Sequence, residues 1–356
     1  MQYDFYPVQG RTAWKGSKID YIRDGLVQIS ADELTEIEVA LTALKCSGEV
    51  DLPVINRDSF PLPLLGVRLK EIAQELRFGL GFVLIRGLQR SNYEADDLAR
   101  IYCGIGMHLG HVIPQSGDGE LLGHVMNVSD LVDESVRGYR SDRSMNMHSD
   151  GHDVVGLLCL TEAKAGGTSC ISSAAAIHDR IVSERPDLAA ELYAGMKISR
   201  MSKDADRGNG FQITPGPVSL FTRHEGEFMA CIHAAMIRDA ANKGAFEMSV
   251  KQEEALDLLC ELAESPEFVL DMNICEGDIQ FLNNRLILHG RTSYEDHNEL
   301  FRRRHLMRLW VNIPGWPQRP ANQQDVFALE DLPLWADHRT PFMEFPSRYL
   351  KQFDER

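Results

Sequence analysis

Apolar residues recur at helical spacing in two places near the start of the chain. Leu34, Ile37, Leu41 and Leu44 form one stripe, and Ser30-x-x-Glu33 ahead of it has the form of a capping box, in which hydroxyl and carboxylate satisfy free backbone N–H groups. Leu65, Leu69, Ile72 and Leu76 form a second stripe, closed by Gly79-Leu80-Gly81. "FVLIRG" at 82–87 then reads as a buried strand, so the part up to about residue 120 is expected to pack helix on sheet. Beyond it the period shortens to two. Strand-like runs follow one another as "LLGHVMNV", "VVGLLCL", "TSCISS", "EFMACIH", "DIQFLNNRLILHG" and "HLMRLWVNI", punctuated by Gly and Pro as in an antiparallel barrel or sandwich. Two helical inserts are expected among them, near 175–195 and after Ser249, the latter with Ala255, Leu256, Leu259 and Leu262 on its apolar face. The expected fold is mainly β with added helices, with a strand core over about 120–315 and a Pro- and aromatic-rich tail over 316–356 draped on the body. No linker divides the chain, so 1–356 reads as a single domain.

Composition narrows the class of partner. Hydrophobic residues at 44% and charged residues at 25% describe an ordinary globular protein, and no run approaches the ~18 apolar residues a membrane span requires. The opening "MQYDFYPVQGR" lacks a signal-peptide core, so a cytoplasmic protein without a membrane partner is expected. Seven cysteines without a C-x-x-C pair point to reduced thiols rather than a zinc cluster. A net charge of -16 repels phosphate backbones, which argues against nucleic acid and leaves a small-molecule substrate as the expected partner. A homo-oligomer stays open.

The candidate chemistry begins at "NMHSDGHD", residues 146–153. With 12 His and 53 Asp plus Glu in 356 residues, chance alone supplies about two H-x-[DE] pairs, so His148-x-Asp150 needs a third ligand to mean anything. If residues 146–150 form a strand ended by Gly151, His148 and Asp150 share one face with their Cα atoms about 6.6 Å apart, near enough to meet one ion. His289, at the end of the apolar strand "RLILHG", is the best-placed third ligand. Two His and one carboxylate on a β scaffold match the facial triad of non-haem Fe(II) oxygenases, although a lone His at a strand end is also an ordinary structural feature. The rival His297-x-Glu299 lies in the polar run "YEDHNEL" and reads as a solvated loop. His152, past Gly151, reads as a loop or substrate-contact residue, and Asn284 and Arg291 read as turn-stabilising or site-supporting residues.

In "RRRHLMRLWVNI" Met307, Leu309, Val311 and Ile313 form one apolar face, which leaves Arg304, Leu306, Arg308, Trp310 and Asn312 on the other. No acid precedes the two arginines on that face. Buried guanidinium groups need an anion, and a dicarboxylate ligand supplies one in a bidentate fork; a salt bridge to an acid elsewhere in the chain is the alternative.

Taken in order, "MHSDGHDVVGLLCL", "AGGTSCISS", "NNRLILHGRTSYEDH" and "RRRHLMRLW" resemble the taurine dioxygenase/clavaminate synthase-like family of Fe(II)- and 2-oxoglutarate-dependent oxygenases over residues 140–312. The resemblance implies a double-stranded β-helix, or jelly-roll, core. It implies Fe(2+) held by His148, Asp150 and His289, with 2-oxoglutarate and O₂ as co-substrates. It also implies that Arg304 binds the 2-oxoglutarate carboxylate with Arg308 as its neighbour, assisted by the hydroxyl of Ser169 or, one residue earlier, Thr168. The implied reaction is hydroxylation, or a related C–H oxidation, of a small molecule with release of succinate and CO₂. A cupin-like metal enzyme that does not use 2-oxoglutarate and a catalytically silent ligand-binding barrel are the alternatives.

Overall fold

The structure is a computed structural model that describes residues 5–48, 51–115, 121–130, 138–201 and 211–324. Two sheets form its core. In the major sheet the strands run in the order Leu26–Gln28, Phe82–Arg86, Ile279–Asn283, Val154–Thr161, His305–Asn312 and His111–Ile113, with Gly123–Met126 also pairing with His305–Asn312. The minor sheet runs Leu270–Met272, Ser169–Ser173, Ile287–Arg291 and Met145–His148. Strands adjacent in one sheet are distant in sequence, as a jelly roll requires. The expected class, a β core with added helices, is the observed one.

The first apolar stripe forms helix Ala31–Ser47, and Ser30 and Glu33 make the reciprocal capping box. The second forms helix Leu65–Phe78 with Leu65, Leu69, Ile72 and Leu76 buried. Both pack with a third helix, Ala95–Leu109, in one hydrophobic cluster that includes Val83, Leu158, Phe281, Leu309 and Val311 of the major sheet. That third helix lies outside the expected elements, although Leu98, Ile101, Tyr102, Ile105 and Leu109 recur in it at helical spacing and all are buried. The insert near 175–195 is two helices, Ala174–Glu184 and Pro186–Ala194. Pro186 has no N–H to continue the first and begins the second, where that N–H would be free anyway. Val250–Glu264 is capped by Ser249 and Gln252 as a box, with Ala255, Leu256 and Leu259 buried and Leu262 partly so. A further helix, Ala234–Asn242, lies outside the expected inserts.

The tail is described only to residue 324, and the remainder of the segment expected to drape over the body lies outside the described residues. Within the described part, the buried Arg319 donates to the Ala230 carbonyl and Gln323 to the Ser219 carbonyl. Among the described residues no helix is long and apolar enough to cross a membrane.

Near the end of the major sheet, His124 Nδ1 and His305 Nε2 lie 2.7 Å apart. One ring must donate and the other accept, so both cannot be charged. Burial pushes His124 down to about 3 and His305 well below its ordinary value. A histidine in the unfolded chain titrates near 6.5. Below that pH the unfolded state takes up protons that the folded pair refuses, so the pair's contribution is present above about 6.5 and lost as pH falls toward 3. The thermal midpoint is therefore expected to fall across that window, and less steeply in His124→Asn. Equal slopes in the two proteins would show that other groups set the acid limit.

Candidate active site

Strand Ile287–Arg291 pairs with Ser169–Ser173 on one side and Met145–His148 on the other, and sets His289 opposite both Ile171 and His148. Cross-strand partners point to the same face, so the two imidazoles converge, with ring centroids 4.4 Å apart. His289 lies in the middle of its strand rather than at its end. Gly290 is required there: a Cβ on it would stand 2.5 Å from the Met145 carbonyl oxygen across the irregular register between the two strands.

Asp150 reaches the pair by a different route from the expected one. The strand ends at His148, not at Gly151, and residues 149–153 bend away. Ser149 leaves the ladder because its N–H donates to the Ile232 carbonyl and its hydroxyl accepts from the Ile232 N–H. The buried Asn284 bridges the bend: its Oδ1 accepts the Asp150 N–H at 3.2 Å and its Nδ2 donates to the His152 carbonyl at 3.1 Å. Asp153 is held by Arg285 and by the Ile313 N–H, which anchors the far end of the bend. His148, Asp150 and His289 each present one ligand atom, and these atoms all lie within 4.8 Å of one another.

The electrostatics suit a cation bound by neutral nitrogens and one anionic oxygen. His148 Nδ1 lies 2.9 Å from the Asn146 carbonyl and must donate to it, which leaves the Nε2 lone pair free. Burial, and after it His148, hold His289 down to about 3, so its imidazole stays neutral. Burial alone would raise the Asp150 carboxyl, but Arg308, His289 and His148 outweigh it and hold the group well below the usual carboxylate range.

The two arginines differ in their partners. Arg308 has an acid nearby from another part of the chain, the alternative left open above: its Nη1 lies 3.7 Å from Asp150 Oδ2, while Nε donates to Gln115 Oε1 at 2.8 Å. Its guanidinium packs 4.6 Å from the Trp310 ring and 5.1 Å from that of Tyr139. Arg304 is buried, with Nη2 donating to the Gly167 carbonyl at 3.2 Å and the guanidinium 5.2 Å from the Tyr294 ring. Its Nη1 is buried without a hydrogen-bond partner among the described residues, and burial lowers its pKa. An orphaned buried cationic N–H of this kind fits an anionic ligand. The Gly-Gly pair makes the seat: Gly166 and Gly167 have φ of 76° and 73°, and a Cβ on Gly167 would meet Arg304 Nε at 2.8 Å. Ser169 shares the face of His289, and its hydroxyl donates to Gln280 Oε1 at 3.2 Å. Thr168 lies just before that strand, half-buried, its N–H donating to the Thr292 hydroxyl and its carbonyl accepting from the Thr292 N–H.

The remaining candidates separate cleanly. His152 is buried with its ring 5.1 Å from that of Trp310. Arg291 donates to the carbonyls of Gly138, Ser141 and Arg143 and so ties down the segment that carries Tyr139. His297 contacts Arg302, which pairs with Glu299, at the surface and away from the triad. Gln115, Tyr139 and Trp310 carry no role in the sequence reading. Only Trp310 has a signal there, since it follows Arg308 by two on the same strand face.

Residues 50–310 match the family described as "Taurine catabolism dioxygenase TauD, TfdA family". The chain is 28% identical over 334 residues to FR-33289 synthase of Streptomyces rubellomurinus (strain ATCC 31215), spanning 89% of this chain and 93% of that protein. It is 27% identical over 353 residues to the taurine hydroxylase-like protein SAT17 of Stachybotrys chartarum (strain CBS 109288 / IBT 7711), spanning 93% and 88%. Among solved structures, asparagine oxygenase in complex with Fe(II), 2S,3S-3-hydroxyasparagine and succinate superposes with a TM-score of 0.63 at 15% identity over 81% of this chain and 93% of that one. The non-heme iron oxygenase OrfP in complex with Fe and alpha-ketoglutaric acid does so with a TM-score of 0.56 at 14% identity over 81% and 94%. At such identities the superpositions speak for the fold. The chain belongs to the TauD/TfdA dioxygenase family and is a non-haem iron, 2-oxoglutarate-dependent oxygenase.

Proposed function

We propose that the protein hydroxylates a small organic molecule, with His148, Asp150 and His289 holding Fe(II) and Arg304 gripping the distal carboxylate of 2-oxoglutarate. The observation that carries this reading is the convergence of two imidazoles and one carboxylate, from two segments 139 residues apart, within 4.8 Å. Iron(II) with 2-oxoglutarate bound would activate O₂ and supply the oxidant for a C–H bond, with release of succinate and CO₂. The chain's own residues do the rest. Asn146 fixes the tautomer of His148, Asn284 fixes the backbone of Asp150, and the buried guanidinium of Arg304 orients the co-substrate from the far side. Ser169, on the His289 face and close in the chain to the Gly167 carbonyl that Arg304 contacts, is a better candidate than Thr168 to assist it. Arg308, packed between two aromatic rings beside Asp150, supports the carboxylate rather than the distal end of the co-substrate.

The N-terminal helices share one hydrophobic cluster with the major sheet, which supports reading the chain as one domain. Two of the similar solved structures, of asparagine oxygenase and of OrfP, hold 2S,3S-3-hydroxyasparagine and (3S)-hydroxy-L-Arg, which supports a small polar substrate for this chain. Anaerobic titration with Fe(II) and 2-oxoglutarate tests the reading. The expected result is a weak visible charge-transfer band that needs both, together with succinate formation that needs 2-oxoglutarate; turnover without 2-oxoglutarate would overturn it.

The carboxylate also bears on the kind of oxidation. Asp150 fills the third protein position, and removing it would open a place for a halide. Hydroxylation or another halide-independent C–H oxidation is therefore expected. Assays with saturating chloride should yield no chlorinated product, as judged by isotope pattern in mass spectrometry.

A further inference from the structure

The bonds around Asp150 extend beyond the three candidate ligands. Trp310 Nε1 donates to Asp150 Oδ2 at 2.9 Å, which makes it the nearest donor to that oxygen; Arg308 Nη1 stands at 3.7 Å and His289 Nε2 at 3.8 Å. An indole N–H can only donate, so it has no use here except to point one carboxylate oxygen. The indole is itself held in place. His152 packs on it at 5.1 Å and the Arg308 guanidinium at 4.6 Å. Its strand is the most heavily paired of the major sheet, with Trp310 opposite Val155 on one side and Ile113 on the other. The backbone of Asp150 has a separate fixture in Asn284, so the carboxylate's orientation depends on Trp310 while its position depends on Asn284.

We infer that Trp310 is the positioning residue of the metal centre: its indole N–H locks the Asp150 carboxylate in the rotamer that faces His148 and His289, so that metal affinity depends on a hydrogen bond from the opposite sheet. The inference rests on the proposed metal site. It concerns orientation and not charge, because Arg308 remains beside Asp150 when the indole N–H is removed. Groups that orient a ligand in this way typically change metal affinity about 10- to 100-fold when removed.

The experiment is titration of the metal-free full-length protein with Co(II) alone, followed by its visible d–d absorption, for the unmodified protein, Trp310→Phe and Asp150→Ala. A further form carries β-(3-benzothienyl)alanine at 310, which keeps the bicyclic shape and replaces the N–H with sulfur. Trp310→Phe and the benzothienyl form are expected to bind Co(II) about 10- to 100-fold more weakly than the unmodified protein. Their metal-free thermal midpoints should stay near that of the unmodified protein. Trp310→Phe should weaken binding little further when Asp150 is already alanine, because the hydrogen bond acts through that carboxylate. Co(II) affinity in the benzothienyl form equal to that of the unmodified protein would overturn the inference, and so would a full additional loss in the Asp150→Ala background. If the unmodified protein and Asp150→Ala bind Co(II) alike, the metal site itself is misassigned, which is a distinct failure from that of Trp310 alone.

Discussion

Asp150→Ala is expected to abolish turnover and to weaken Fe(II) binding by more than the ~100-fold that loss of a supporting group alone can cause. Asp150 is the only anionic member of the triad, and Arg308 lies 3.7 Å from it. Without the carboxylate, a divalent cation would sit beside a guanidinium with two neutral imidazoles and no compensating charge. The apo fold should persist, because the bend that carries residue 150 is held by Ser149, Asn284 and Asp153 rather than by the Asp150 side chain. His148→Ala and His289→Ala should behave alike. The measurements are Fe(II) affinity, succinate formation and the metal-free thermal midpoint of each variant. Full activity in any of the three would remove that residue from the site.

Arg304→Gln is expected to raise the 2-oxoglutarate concentration that half-saturates succinate production, with Fe(II) affinity nearly unchanged. The guanidinium is buried, is already committed at Nη2 to the Gly167 carbonyl, and keeps Nη1 without a partner among the described residues. Removing one member of a buried, hydrogen-bonded charge pair costs about 2–5 kcal/mol, which is roughly 30-fold to several thousand-fold in affinity. Glutamine reaches only as far as Arg304 Nε, so the Nη2 contact with Gly167 is lost along with the charge, and the unchanged Fe(II) affinity separates this loss from a general disruption of the site. An unchanged half-saturation would make Arg304 a structural residue and move the anion site to Arg308.

Patterns carried by neighbouring residues are legible in the chain itself. The capping box at Ser30 and Glu33, the apolar stripes of the helices at 31–47 and 65–78, and the buried strand at 82–86 are local, and each recurs in the fold as its pattern predicts. The alternation in His305–Asn312 likewise tells that Arg308, Trp310 and Asn312 share a face, because successive side chains of a strand point to opposite sides. The helix at Ala95–Leu109 carries the same kind of signal in Leu98, Ile101, Tyr102, Ile105 and Leu109, although it is not among the expected elements.

The site shows the same division. Residue type and order, with the family resemblance, are enough to propose His148, Asp150 and His289 as a ligand set, and the fold brings their ligand atoms within 4.8 Å of one another. How Asp150 arrives is not legible, because the strand expected to carry it stops at His148 when Ser149 finds Ile232, 83 positions away. Nor is the anion beside Arg308 legible, since strand alternation orders the residues of one strand and says nothing of what the opposite sheet presents. Sequence by itself therefore determined which groups are available and which share a local face. The tertiary structure alone decided their partners: Trp310 to Asp150 across 160 positions, Gln115 to Arg308 across 193, and Asn284 to Asp150 across 134. Such contacts exist only after loop closure, whose entropy is offset by the whole barrel core, so no local pattern records them.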